Sequence, residues 1–262
     1  MLRTLHLPDK LRRSLVKSGI TGEIASHGAK TNLDSIARLI KLDPYVSFGI
    51  NAVTDAVKKK QVDQKAVIKV MADALGTTVD RFCQPGPGYI DPQWTATKLS
   101  LMLDRLSEAA AKQGTFLIAT SHPGSLMTYY SVLGRYVEDL GGQVYRTPDP
   151  YQVGEYRWFD QLDGVHVLSD QGNLLHTHDS PAFARFLAHL PEPPSVVLSD
   201  HGYAGAAINA GIYTIALHDV DDPGIPLAEH LGSDVLIVPM NDNQLNVPTA
   251  IALQALIDSR KN

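Results

Sequence analysis

Apolar positions along the first 113 residues recur at helical spacing. Leu11, Leu15 and Val16 share a face after Pro8, and Asn32 is placed to cap a segment carrying Leu33, Ile36, Ala37 and Ile40. That segment stops before Asp43-Pro44. Further helices are predicted between Ile50 and Lys60, between Gln64 and Leu75, and from about Gln93 to Gln113, where Leu99, Leu103 and Leu106 line one face. The stretch Gln84–Pro92 is too rich in Pro and Gly for a helix or a central strand.

From Gly114 the period changes. Short apolar runs bounded by turn residues predict buried strands at 115–120, 143–146, 195–199, 213–217 and 234–239. Helical spacing separates them at about 125–140, 180–189, 204–210 and 247–259, with Ser180-Pro181 as a helix opening. Residues 151–178 read as a meander with strands near 157–159, 165–168 and 174–177, turning at Gln171-Gly172-Asn173. Strands alternating with helices predict an α/β fold: a Rossmann-like, doubly wound, mostly parallel sheet. Residues 1–113 would form a helical N-terminal extension and residues 114–262 the body.

Ligands of open parallel sheets bind outside the carboxyl ends of the strands, so the residues after each strand carry the chemistry. Five segments deliver ionisable tips there: Ser121-His122-Pro123-Gly124-Ser125, His176-Thr177-His178-Asp179, Asp200-His201-Gly202, His218-Asp219 with Asp221-Asp222, and Asn241-Asp242-Asn243. The first resembles a phosphate cradle, in which Ser121, Gly124 and Ser125 surround a helix N-terminus and His122 moves a proton. Gly202 would open a second cradle of the same kind. Asp200, Asp219, His176 and His178 are candidate metal ligands, the two histidines pointing the same way if 174–177 is a strand. Asp200, His201 and His122 are the candidate catalytic groups. His27-Gly28-Ala29-Lys30 offers a further cation to a phosphate. The competing, bland readings are a helix N-cap at Asp200, a solvated acidic loop at 218–222, and surface or structural roles for His6, His166, His189 and His230.

Composition narrows the class. The chain has 262 residues, 44% of them hydrophobic, and a single Cys, which excludes a disulfide framework or a Cys-rich zinc site. Cys83 is expected to be a buried thiol. Residues 1–70 hold 13 Lys and Arg against 6 Asp and Glu, while the whole chain carries a formal −5. That overall balance argues against a nucleic-acid partner. No apolar run nears the roughly 20 residues of a membrane span, and Met1–Pro8 lacks a secretory h-region. The expectation is a cytoplasmic protein with no membrane or nucleic-acid partner; self-association into a homo-oligomer stays open.

The segments Gly114–Tyr130, Tyr89–Pro92, Leu174–His178, Ser199–Ala207 and Asp234–Asp242 resemble blocks of a phosphatase family found mainly in actinobacteria. The likeness spans roughly 85–245 and implies hydrolysis of a phosphomonoester. No D-x-D-x-[TV] follows the first strand, Cys83 begins no C-x5-R, and His122 lacks an R-H-G context. A phosphatase acting on a small phosphorylated metabolite with a divalent metal such as Mg²⁺ is therefore the leading expectation. The alternative is a sugar-phosphate or nucleotide-binding regulator, or an isomerase, that does not hydrolyse its ligand.

Overall fold

The structure, a computed structural model, describes residues 9–260. The expectations for Met1–Pro8, His6 included, lie outside the described residues. The N-terminal region runs α1 (Asp9–Lys17), β1 (Gly22–Gly28), α2 (Ala29–Ile40), α3 (Pro44–Ser47), α4 (Asn51–Lys58), α5 (Gln64–Ala74), α6 (Val79–Cys83), β2 (Pro87–Ile90) and α7 (Pro92–Ala111). The body follows as β3 (Thr115–Thr120), α8 (Pro123–Asp139), β4 (Gln143–Val144), β5 (Tyr151–Gly154), β6 (Arg157–Leu162), β7 (Val165–Ser169), α9 (Ser180–His189), β8 (Val196–Asp200), α10 (His201–Asn209), β9 (Thr214–His218), α11 (Gly224–His230), β10 (Val235–Pro239) and α12 (Asn246–Ser259).

The predicted α/β architecture holds. Strands lie in the order β10-β9-β8-β3-β7-β6-β5, with β4 also paired to β3. The ladders from β10 through β8 and β3 to β7 are parallel, and β7-β6-β5 is an antiparallel meander. Alternation along the strands divides the core. Phe116, Ile118, Leu198, Leu217 and Val238 face α7, α8 and α12 on one side, whereas Leu117, Ala119 and Val197 face α9 and α10 on the other. Chain order reverses at β3: β8 lies on one flank, and β4 and β7 lie on the other. The carboxyl ends of β3 and β8 therefore open a crevice, the usual ligand position in such sheets.

The N-terminal region departs from the expected all-helical reading. β1 and β2 form an antiparallel ribbon, which the sequence hides because Gly22–Gly28 has neither an apolar run nor clean alternation. The segment 84–92 thus contains a strand after all, but one confined to a two-stranded ribbon, where prolines are tolerated. Asn32 is no cap: α2 begins at Ala29 behind Gly28, and Asn32 is buried inside it. Asp43, Asp63 and Asp91 do cap their helices, accepting from Tyr45, Ala66 and Trp94 backbone N–H groups. Residues 174–177 form no strand, only an isolated bridge from Leu174 to Ser169. Cys83 is half-buried rather than buried.

Residues 43–50, containing α3, lie as a strap over the body. Gly205 in α10 makes this possible: a Cβ there would stand 2.1 Å from the Phe48 carbonyl oxygen. Ile24, Phe48 and Ile50 from the N-terminal region share one apolar cluster with Ala204, Ala216 and Val220 of the body.

Candidate functional site

All five strand-end segments converge on the crevice, and the N-terminal region adds a sixth, His27. Asp200 sits at the centre, fully buried at the end of β8. It occupies the N-cap position of α10, but its side chain makes no capping hydrogen bond. Its carboxylate instead turns toward β3, accepting from Thr120 Oγ1 at 2.7 Å, the Ser121 N–H at 2.9 Å and the Ser121 hydroxyl. His122 Nδ1 and His201 Nδ1 both stand 3.4 Å from its Oδ1. Burial alone would raise the Asp200 pKa, but these two imidazoles hold it well below the usual carboxylate range. Asp200 thus anchors two histidines by the same side of the ring.

His201 carries a φ of +42°, a backbone state that side-chain-bearing residues seldom adopt. Such a state costs on the order of 1 kcal/mol and persists only where the surroundings enforce it. Here it drives the imidazole into the crevice. His201 Nε2 lies 3.1 Å from Asp222 and 3.4 Å from Asp242. Burial opposes a charge on His201, yet Asp222, Asp200 and Asp242 together push its pKa well above the ordinary value.

Four imidazoles cluster around this point, His122 stacked on His201 and the other pairs tilted. The His122 ring lies 4.0 Å from His201 and 3.9 Å from His176, and His178 lies 4.4 Å from His201. Burial, then the neighbouring His201, pushes His122 down to about 4; the same causes take His178 to about 3. Tyr45 of the strap stacks on the His178 ring at 3.9 Å, and its carbonyl accepts from His178 Nδ1 at 3.1 Å. This pairing leaves His178 Nε2 free to face the crevice. Phe48 meets the His201 ring edge-on at 5.0 Å. A cleft of about 570 Å³ between Pro44-Tyr45 and residues 176–181 reaches this cluster from outside, with His176 exposed beside it.

The acidic side is more crowded than the sequence suggested. Burial and the adjacent Asp242, Asp221 and Asp222 raise the Asp219 pKa well above normal, and Asp242 is raised as well, chiefly by burial. Burial and Asp222 raise Asp221 to about 6. The ion pairs these carboxylates make among the described residues are all with histidines. Asp219 Oδ2, Asp242 Oδ2 and His218 Nε2 are buried without any hydrogen-bond partner. Buried carboxylate oxygens left unpaired are costly, and a divalent cation is the partner that this donor set fits.

Among the described residues, three groups have ligand atoms within 4.8 Å of one another: His201, Asp222 and Asp242; His122, His178 and His201; and His27, Asp219 and Asp221. These differ from the set expected from sequence. Asp200 belongs to none of them, because its oxygens are taken by Thr120, Ser121 and the two histidines. Asp219 joins His27 rather than Asp200, and His178 joins His122 and His201 without His176. Asp242 and His27 were not among the expected catalytic groups or metal ligands, and His122 and His201 were expected as catalytic groups and not as ligands. The sole sequence signals were Asp242's place after the last strand and the His27 cation reading.

The expected phosphate ligands divide similarly. The Ser121 hydroxyl serves Asp200, and Ser125 Oγ turns to the His122 carbonyl at 3.5 Å. A Cβ on Gly202 would stand 2.3 Å from the His178 carbonyl oxygen, so this glycine seats the 178–180 backbone and opens no second cradle. At the N-terminus of α8, by contrast, the space over Gly124 is open. His166 is structural as expected: buried in β7, its Nδ1 donates to the Ile118 carbonyl at 3.2 Å.

Comparison with known proteins agrees with this chemistry. No solved structure matches the chain. A curated protein of Streptomyces coelicolor (strain ATCC BAA-471 / A3(2) / M145), named Phosphatase SCO2771, is 29% identical over 238 residues, covering 89% of this chain and 88% of the relative. A family model described as Phosphatase matches residues 7–249, nearly the whole length over which the crevice is assembled. The chain belongs to the Phosphatase family.

Proposed function

We propose that the crevice hydrolyses phosphomonoesters of a small metabolite with the help of a divalent cation held by His201, Asp222 and Asp242. The observation that carries this reading is Asp242 Oδ2, buried without a hydrogen-bond partner and 3.4 Å from His201 Nε2, which also lies 3.1 Å from Asp222. A phosphate dianion approaching five carboxylates whose ion pairs are all with histidines would be repelled without added positive charge. When bound, the cation would neutralise phosphoryl oxygens and orient the attacking water.

The chain's own groups would supply the rest. Asp200 fixes His122 through Nδ1, which leaves Nε2 as the atom that accepts a proton from water. Asp200 also holds the His201 ring in its ligating orientation. His176, exposed and with its ring 3.9 Å from that of His122, is placed to give a proton to the leaving alkoxide. The open N-terminus of α8 over Gly124 would take a phosphoryl oxygen with the positive end of the helix dipole. The 570 Å³ cleft favours a small-molecule substrate.

The test is phosphate release from a panel of phosphomonoesters, before and after EDTA. Release is expected to vanish with EDTA and return with Mg²⁺ or Mn²⁺, and to fall at least about 100-fold in His122→Ala. Turnover indifferent to EDTA overturns the cation-assisted reading. Tight sugar-phosphate or nucleotide binding with no release would favour the non-hydrolytic alternative.

A further inference from the structure

We infer that the crevice holds a second divalent cation, bound by His27, Asp219 and Asp221, and that this site takes a first-row transition ion such as Mn²⁺ or Zn²⁺ in preference to Mg²⁺. The inference rests on the cation-assisted reading above and deepens it from one ion to two.

Asp219 is 1% exposed and its two oxygens are used unequally. Oδ1 accepts from the Val220 N–H at 2.6 Å, which locks the carboxylate plane. Oδ2 has no hydrogen-bond partner and lies 4.0 Å from His27 Nε2. Asp221 Oδ2 lies 3.7 Å from His27 Nδ1. Both gaps are too long for hydrogen bonds. With one nitrogen of His27 taken as ligand, the three residues offer ligand atoms all within 4.8 Å of one another, a spread that suits donors around one ion. A buried oxygen aimed at an imidazole yet not bonded to it leaves its charge to be met by a shared partner.

Asn243 supports the arrangement from the other side. Its Nδ2 stands 2.8 Å from His27 Nε2 and 3.0 Å from Asp242 Oδ1. As an amide donor to both, Asn243 fixes the place of the His27 ring and ties it to Asp242 of the first group. The two cation groups are also joined through the backbone, because the Asp219 N–H donates to Asp222 Oδ2 at 2.9 Å. Neighbouring ions in this arrangement would clamp a phosphoryl group between them. An imidazole donor beside two carboxylates suits Mn²⁺ or Zn²⁺, whereas Mg²⁺ prefers oxygen and retained water. The β1–β2 ribbon gains a purpose, since it carries His27 to the crevice from a region remote in sequence.

The test counts ions. The chain is stripped with EDTA, dialysed to equilibrium against Mn²⁺, and assayed for bound metal by mass spectrometry. The wild type is expected to hold two ions, and His27→Gln and Asp221→Asn one each. Both side chains are about a fifth exposed, so folding should survive, and the melting temperature of the same samples checks it. Electron paramagnetic resonance of the Mn²⁺-loaded wild type should show two coupled ions, and that coupling should be lost in His27→Gln. One ion in the wild type, undiminished in His27→Gln, overturns the second site while leaving the first. Two ions in both variants would also overturn it, by placing the second ion elsewhere. No bound ion in the wild type overturns the cation-assisted reading itself.

Discussion

Two buried histidines at the same end of one sheet mark the difference between scaffold and site. His166 in β7 is closed on itself: its ring gives a hydrogen to Ile118 and lies 3.4 Å from the Thr147 hydroxyl, and no carboxylate pairs with it. His201, after β8, sits on a strained backbone among three carboxylates, one of which, Asp242, keeps an oxygen buried without a hydrogen-bond partner. Folding alone favours the first arrangement, because buried polar groups left incomplete cost stability. The second persists where a ligand completes it.

The largest break in this contrast should come from Asp200→Asn. Removing the charge that anchors His122 and His201 is expected to lower stability by about 3 kcal/mol or more and phosphate release by roughly 10- to 100-fold. Urea unfolding and a phosphate-release assay measure the two losses; a variant as stable and as active as wild type would deny Asp200 its central place. The next effect belongs to His166, whose burial lowers its pKa to about 4. Between pH 6.5 and about 4 the unfolded chain binds a proton that the folded ring refuses. Its stabilising contribution is therefore full above pH 6.5 and declines on acidification, by about 2 kcal/mol at pH 5. His166→Gln should flatten that part of the stability–pH curve, read by urea unfolding at pH 7 and pH 5.

Glycines sharpen the comparison at smaller scale. Gly205→Ala forces a methyl against the Phe48 carbonyl and is expected to cost about 1–3 kcal/mol, seen as a lower melting temperature. Gly124→Ala meets open space and should change stability by less than about 1 kcal/mol, in the favourable direction for a helix. If the α8 N-terminus takes the phosphoryl group as proposed, the same methyl raises KM without lowering the melting temperature.

Much of this molecule is legible in its sequence because apolar runs in buried parallel strands are unambiguous. The strands at 115–120, 196–200, 214–218 and 235–239 and the polar tips that follow them are examples. Elements without such runs escaped: β1, with two terminal glycines and only two buried positions, and α11, a short helix containing Pro226. The meeting of His27 with Asp219 was illegible for a different reason. They are separated by most of the chain, and no local period encodes which carboxylate of a dense acidic loop will face a distant ribbon. Ser121 and Gly202 had the right composition for phosphate contacts, yet protein groups fill the positions a phosphate would have used.

The strap over the crevice has a further consequence. Where backbone presses against a glycine at van der Waals limits, as Phe48 does on Gly205, the covering segment behaves as a fixed roof and not as a door. The cleft lined by Tyr45 and His176 is then the approach to the histidines that lies beside the roof, and a ligand's girth would be tested there before any chemistry began.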